Sequence, residues 1–241
     1  MMVGARTGAW AKSGSPTPAA YGGLRFTAEA VNSSVQLTAV GSAPAVTLIK
    51  SFDGVNWEDY TVGEVIELPS IGDSIYIAAG ESGNNTFGSS SSDYHTFVIN
   101  GLVAASGDIT SILNFDCAQT TLANYCYNAM FRDCTGLTSA PELPATTLAN
   151  ACYSYMFYGC TGLTSAPELP ATTLVGNCYR SMFSGCTNIS LIKVHFTAWG
   201  TQTSAWVSNV PSTGTFYKPS ALPDEFSTDR IPTGWTVVNI D

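Results

Sequence analysis

The sequence predicts a mostly β chain that carries an α/β solenoid: an antiparallel β-sandwich, then a short repeat solenoid closed by a C-terminal cap. Two observations carry this reading. Short alternating apolar runs, separated by turn residues, fill residues 23–100. Further on, the chain repeats itself almost letter for letter. Cys134 to Asn150 reads CTGLTSAPELPATTLAN and Cys160 to Gly176 reads CTGLTSAPELPATTLVG, 15 identities in 17 positions at an offset of 26. Leu122, Leu148 and Leu174 keep that step, as do Cys126, Cys152 and Cys178. So do Met130, Met156 and Met182; Phe131, Phe157 and Phe183; and Cys134, Cys160 and Cys186. A fixed period of this size signals stacked units, because one unit alone cannot bury its apolar face.

Residues 1–22 form a Gly/Ala/Ser/Pro-rich stretch with few large apolar groups. Such a stretch cannot bury enough surface to fold alone, so a flexible anchoring arm is expected there. Trp10 and Tyr21 are its only aromatics and the expected anchors. In residues 23–100 the runs LRFTAEA, SVQLTAV, AVTLIKSF, EVIELPS, DSIYIAAG and YHTFVING alternate with turn signals such as Asn32-Ser33-Ser34, Gly41-Ser42 and Gly72-Asp73. That is the pattern of an Ig-like antiparallel β-sandwich of about seven strands. The piece from Phe52 to Trp57 is expected to be a hairpin turn that returns Trp57 to the core. Residues 101–116 serve as connector and N-cap, ending as a helix or capping turn.

Residues 117–193 hold the repeats. A segment such as Leu163 to Leu169 is expected to be extended, since Pro167 and Pro170 keep it from becoming helical. Asn177 to Gly185 is expected to be a short helix. Cys178, Met182 and Cys186 fall at i, i+4 and i+8 and would make one buried stripe, with Gly185 capping the end. Residues 194–241 read as a degenerate repeat and C-terminal cap. Trp199, Trp206, Phe216 and Trp235 are expected to close the stack, with sugar-stacking aromatics as the alternative.

Charged residues make up only 11% of the 241 positions, while 45% are hydrophobic. An ordinary soluble domain has roughly 25% charged. Ser, Thr, Asn and Gly supply the surface instead, as they do in extracellular β-rich and virion proteins. The net charge is −9, with nine basic residues and no Lys/Arg cluster, which argues against nucleic acid as a partner. No apolar span of about 20 residues occurs and no signal-type apolar core stands near the start. The chain is therefore expected to be neither leader-exported nor inserted in a membrane.

Seven cysteines are an odd count for a disulfide framework. In one helix Cys152 and Cys160 would lie about 12 Å apart, too far to bridge. A ladder of buried thiols is the expectation. No C-x2-C pair occurs and His95 and His195 lie outside the ladder, so neither a metal nor another cofactor is expected.

MFYGCTGLTSAPELP at 156–170 and MFSGCTNIS at 182–190 keep Met-Phe, Cys-Thr and the following Leu or Ile in fixed register. In this the chain resembles the BspA-type (Treponema-like) leucine-rich repeats, over about residues 117–195. The order of sandwich, leucine-rich-repeat solenoid and short Trp-containing tail is similar to surface proteins of Bacteroidetes and of their phages. The resemblance implies adhesion, or protein and glycan recognition, and no catalysis.

No G-x-S-x-G, H-E-x-x-H or Walker loop occurs. Glu142 and Glu168 are carboxylates one repeat apart, and repeat symmetry explains their spacing without an active site. Asp53, Asn56 and Asp59 lack EF-hand spacing and read as a turn. The more useful signal is where the units differ. Tyr125, Asn128, Ala129, Arg132 and Asp133 become Ala151, Ser154, Tyr155, Tyr158 and Gly159, then Asn177, Arg180, Ser181, Ser184 and Gly185. These positions flank the stripe and are expected to face outward. Tyr125, Asn128, Arg132, Tyr155, Tyr158 and Arg180 form the expected recognition face; drift on a solvated surface is the alternative. The functional expectation is a non-catalytic virion protein of a bacteriophage, a capsid-decorating, head-fibre or tail-fibre component displaying an adhesion module. Its expected partners are other virion proteins through the arm, a host-surface glycan or protein, and a second copy in a homo-oligomer. It would be assembled in the host cytoplasm and carried on the virion surface. A bacterial cell-surface adhesin and an intracellular interaction module are the alternatives.

Overall fold

Alternation of apolar and polar residues builds the N-terminal half, and the computed structural model describes residues 21–241. Eight strands form there: β1 Arg25–Ala28, β2 Ser33–Val40, β3 Leu48–Ser51, β4 Glu58–Tyr60, β5 Val65–Leu68, β6 Ser74–Ala79, β7 Tyr94–Asn100 and β8 Val103–Ser106. Period-2 burial is clear in β1, where Phe26 and Ala28 point inward, and in β7, where His95, Phe97 and Ile99 do. Six of these strands coincide with the six alternating runs. Strand β4 completes the Phe52–Trp57 hairpin, pairing antiparallel with β3. Strand β8 falls in the connector, where a helix or capping turn was expected; the cap follows it as a 3-10 turn at Ile109–Ile112, with the Asp108 carboxylate accepting from the Thr110 amide at 2.7 Å.

The strands make two sheets. One has the order β5-β2-β7 and is antiparallel. The other has the order β4-β3-β6-β1-β8, antiparallel throughout, and continues past β8 with one further, parallel strand. The two face each other, with Phe26 of β1 packed edge-on against Phe97 of β7 at 4.9 Å. Strand β9, Leu137–Ser139, belongs to the first repeat and pairs parallel with β8. One sheet and one continuous hydrophobic core therefore cross residues 101–116.

The expected α/β solenoid is not what the described residues form. They contain no α-helix, and the only strand within residues 117–190 is β9. The expected strand at Leu163–Leu169 reduces to one isolated bridge, Leu169 to Val194. The expected helix at Asn177–Gly185 is a run of tight turns. The backbone shows why. Every fourth residue is left-handed: Tyr125, Ala129 and Asp133 have φ of 57°, 55° and 59°; Ala151, Tyr155 and Gly159 follow at 53°, 56° and 73°. Asn177, Ser181 and Gly185 repeat the pattern at 54°, 51° and 80°. A right-handed helix cannot pass through such residues. Alternate amides bond locally, as Met130 does to the Tyr127 carbonyl and Arg132 to that of Ala129. The others reach the next unit: Tyr127 donates to Cys152, Ala129 to Ser154 and Phe131 to Met156, at 2.8, 2.9 and 2.9 Å. Half of the amides in each of these runs thus bond to the neighbouring segment rather than within their own turn.

These ladders stack equivalent side chains into columns. Phe97, Phe131, Phe157 and Phe183 lie at 5.2, 5.5 and 5.7 Å, with interplanar angles of 18°, 5° and 1°. Phe87, Tyr127, Tyr153, Tyr179 and Trp206 form a second column. Both begin on residues of the N-terminal half, which joins the halves through stacked rings. A third column consists of thiols. The Sγ of Cys134, Cys160 and Cys186 each donates to a carbonyl of the preceding layer, Phe97, Phe131 and Phe157, at 3.1, 2.9 and 3.1 Å.

The C-terminal end is closed by a shortened turn ladder around Ala205 and Asn209, at φ of 53° and 60°. Trp206 fills the column there and donates from Nε1 to the Arg230 carbonyl. Strands β10 Leu191–Lys193, β11 Thr215–Lys218 and β12 Thr236–Asn239 form a parallel three-stranded sheet beside it.

Candidate recognition site

Four of the six expected face residues come together. The Arg132 guanidinium lies over the Tyr158 ring at 5.3 Å and over Tyr155 at 5.9 Å. Arg180 lies over Tyr155 at 5.8 Å. The two tyrosine rings are 5.9 Å apart and tilted by 57°. Arg132 stands in the first unit, Tyr155 and Tyr158 in the second and Arg180 in the third, so the cluster exists only because three units stack. Both arginines are exposed and both tyrosines half-buried. Tyr155 is one of the left-handed residues and its amide donates to the Arg180 carbonyl at 2.8 Å, which fixes the two positions relative to each other. Each cation–π contact contributes about 0.5–1 kcal/mol at an exposed site.

The expectation that all the varying positions face outward is corrected. Asn128, Ala129, Ala151, Ser154, Ser181 and Ser184 are buried. Asn128 is 2% exposed and its Nδ2 donates to the Ser90 carbonyl at 3.5 Å, under the polar loop that precedes β7. The buried ones carry short side chains; the same positions in other units carry Arg132, Tyr155, Tyr158 and Arg180, whose longer side chains reach the surface. Tyr125 is half-buried in the first unit. The Gly88 backbone crosses so close to its carbonyl that a Cβ there would sit 2.6 Å from the oxygen.

Of the two expected anchors, Trp10 lies outside the described residues. Tyr21 packs within its own chain. Its ring meets Trp57 and Phe115 at 5.0 Å each and Tyr76 at 5.8 Å, and its hydroxyl donates to the Phe115 carbonyl. Burial, first of all, pushes its phenol well above the ordinary range.

The carboxylates are occupied structurally. Glu168 accepts from Lys193 at 2.9 Å and faces His195, and those hydrogen bonds hold its carboxyl below the ordinary range. With Glu142 it borders a shallow groove of about 400 Å³ walled by Pro141, Pro144, Pro167 and Pro170. Asp53 accepts from the Asn56 and Val55 amides, the Asn56 side chain and the Ser51 hydroxyl, which keeps it ionised far into acid and devotes its oxygens to the turn. Six of the seven cysteines are buried free thiols, and Cys117 is half-buried and free. Burial pushes the Cys126 and Cys186 thiols up to about 12. Among the described residues no group of His, Cys, Asp and Glu is arranged to hold a metal ion, and no helix is long and apolar enough to cross a membrane.

The signal missed in the sequence is the tyrosine column. Tyr127, Tyr153 and Tyr179 follow the repeated cysteine directly and keep the 26-residue step, which marked them as core. No family model, characterised protein or solved structure matches this chain.

Proposed function

We propose that this protein is a non-catalytic component of a phage virion surface, a capsid-decorating or fibre protein, and that it presents the Arg132, Tyr155, Tyr158 and Arg180 cluster to a host-surface ligand. The convergence of two arginines and two tyrosines from three successive units carries the reading. It concentrates two of only nine basic residues, with aromatic support, on an otherwise charge-poor chain. Tyr and Arg are the residues that dominate recognition surfaces. The frame beneath them is rigid, because each unit is hydrogen-bonded and ring-stacked to the next. The polar, sparsely charged composition and the free thiols support a surface protein that folds in a reducing compartment before release. The resemblance of the repeat motif to those of surface proteins points the same way.

Mass spectrometry of purified virions tests the location. The expected result is the protein at stoichiometric copy number; recovery only from the bacterial envelope overturns the virion assignment in favour of an adhesin. Deleting residues 2–20, outside the described residues, is expected to abolish incorporation while leaving the thermal transition unchanged. Incorporation of the truncated protein at wild-type level would move the anchor elsewhere.

A further inference from the structure

Resting on that recognition reading, we propose that the cluster of Arg132, Tyr155, Tyr158 and Arg180 binds an anionic saccharide, one that carries carboxylate or sulfate groups among its hydroxyls. Charge pairing gives the first reason. Lys50, Lys193, Lys218 and Arg230 each hold a carboxylate partner. Arg132 shares only its own neighbour Asp133, at 3.3 Å. Arg180 has no carboxylate partner among the described residues and leans on Tyr155 alone. An exposed, unneutralised guanidinium on a chain of net charge −9 is a local exception to the field of the whole protein.

The second reason is how the guanidinium groups are held. A guanidinium resting on an aromatic face is oriented without spending its N–H edge, which stays free to make the forked hydrogen bonds that suit carboxylate and sulfate. The two arginines bracket Tyr155 from the units before and after it. Successive units are 5.5 and 5.7 Å apart at their stacked phenylalanines, so the bracket spans two such steps. A compact single anion would engage one arginine; an extended chain with spaced anionic groups engages both.

The third reason is what lies between them. Tyr155 and Tyr158 contribute phenolic hydroxyls, each a donor and an acceptor, and Asp133 contributes an acceptor carboxylate. Hydroxyl groups on the ligand satisfy those atoms. A poly-glutamate peptide brings carboxylates but no side-chain hydroxyls for those atoms to bond.

The test uses the full chain and titration calorimetry with four probes: an oligogalacturonate, a sulfated oligosaccharide, a neutral oligosaccharide of the same length and a poly-glutamate peptide. One or both anionic saccharides are expected to bind, more weakly as salt rises, and the two arms tell carboxylate from sulfate recognition. Arg180→Gln is expected to weaken that binding about tenfold, the loss of one charge-assisted hydrogen bond. Its side chain is exposed, so an unchanged melting curve certifies the fold. Binding of the neutral oligosaccharide alone, indifferent to Arg180→Gln, overturns the anionic site and leaves the recognition reading standing. Tighter binding of poly-glutamate than of either anionic saccharide overturns it in favour of a protein partner. If none of the four probes binds and adsorption to host cells is also indifferent to Arg180→Gln, both readings fall.

Discussion

Replacing Phe157 by Ala should destabilise the whole protein, and the structure sets the size of the effect. The ring is fully buried and sandwiched between Phe131 at 5.5 Å and Phe183 at 5.7 Å, nearly parallel to both. The layers above and below cannot collapse into the gap. They are held apart by the Phe131 amide on the Met156 carbonyl and the Phe157 amide on the Met182 carbonyl, at 2.9 and 3.0 Å. The Cys186 thiol also bonds the Phe157 carbonyl. A cavity that stays open places the loss toward the upper part of the range of about 3–5 kcal/mol for Phe→Ala. For a chain of this length each kcal/mol lowers Tm by about 2–4 °C, so a fall on the order of 10 °C is expected. Guanidinium unfolding followed by far-UV circular dichroism and by tryptophan fluorescence is the assay. Trp57 reports on the N-terminal half and Trp199, Trp206 and Trp235 on the other. Because the Phe97 to Phe183 column and the β8–β9 pair tie the halves together, both probes should shift together. A loss under about 1.5 kcal/mol, or a second transition left at its wild-type midpoint, would refute the shared rigid column. A double-mutant cycle of Phe157→Leu with Phe183→Leu should give a coupling of about 0.5–1.5 kcal/mol.

Cys152→Ser should cost about 1–3 kcal/mol by placing a hydroxyl in an apolar layer, and native protein should leave its six buried thiols unmodified by a thiol reagent at pH 8 while denatured protein exposes all seven; three disulfides by mass would contradict this. Tyr21→Ala should lower stability by about 2–4 kcal/mol, since the ring closes a cluster with Trp57, Tyr76 and Phe115; an unchanged melting curve would return Tyr21 to the role of a free anchor. Acidification acts through His95, which is buried and accepts no proton easily: burial depresses its folded value below about 6.5, so its contribution is complete above that pH and is lost as pH falls toward the folded value. Stability should therefore decline from about pH 6.5 downward, and His95→Gln should flatten that decline; an identical slope in the variant would assign it to other groups. The depressed carboxyls of Asp53, Asp93 and Glu168 contribute stability that is complete above about pH 4.5 and is lost progressively as pH falls toward their lower folded values, measurable as a second, later fall in Tm.

Much of the layout was legible because it depends on local chemistry. Alternation marked β1, β2, β3, β5, β6 and β7, since a strand with one buried face must alternate. The 26-residue identity marked Met130, Phe131, Cys134 and their counterparts as core, and all are buried. The sequence could not distinguish the helix from the turn ladder. Cys178, Met182 and Cys186 at steps of four satisfy a 3.6-residue helix and a four-residue turn repeat equally well. The choice rests on acceptors outside the unit. Left-handed φ at Tyr125, Ala129, Tyr155 or Ser181 costs about 1–2 kcal/mol per residue. That cost is offset only where the next layer presents a carbonyl to each second amide, as Cys152, Ser154 and Met156 do for the first unit. A single unit in isolation has no such partner.

The candidate site divides along the same line. The composition by itself determined that basic residues would be few, and the repeat by itself determined which positions vary. Which varying positions reach solvent was decided by tertiary structure. At equivalent turn positions the short side chains Asn128, Ser154 and Ser184 are buried between neighbouring segments, while the longer Arg180 and Arg132 extend past the layer to solvent and Tyr155 stays half-buried. The meeting of Arg132, Tyr155 and Arg180 is set by the stacking distance between units, a property of packed rings and interlayer hydrogen bonds that no single stretch of sequence contains.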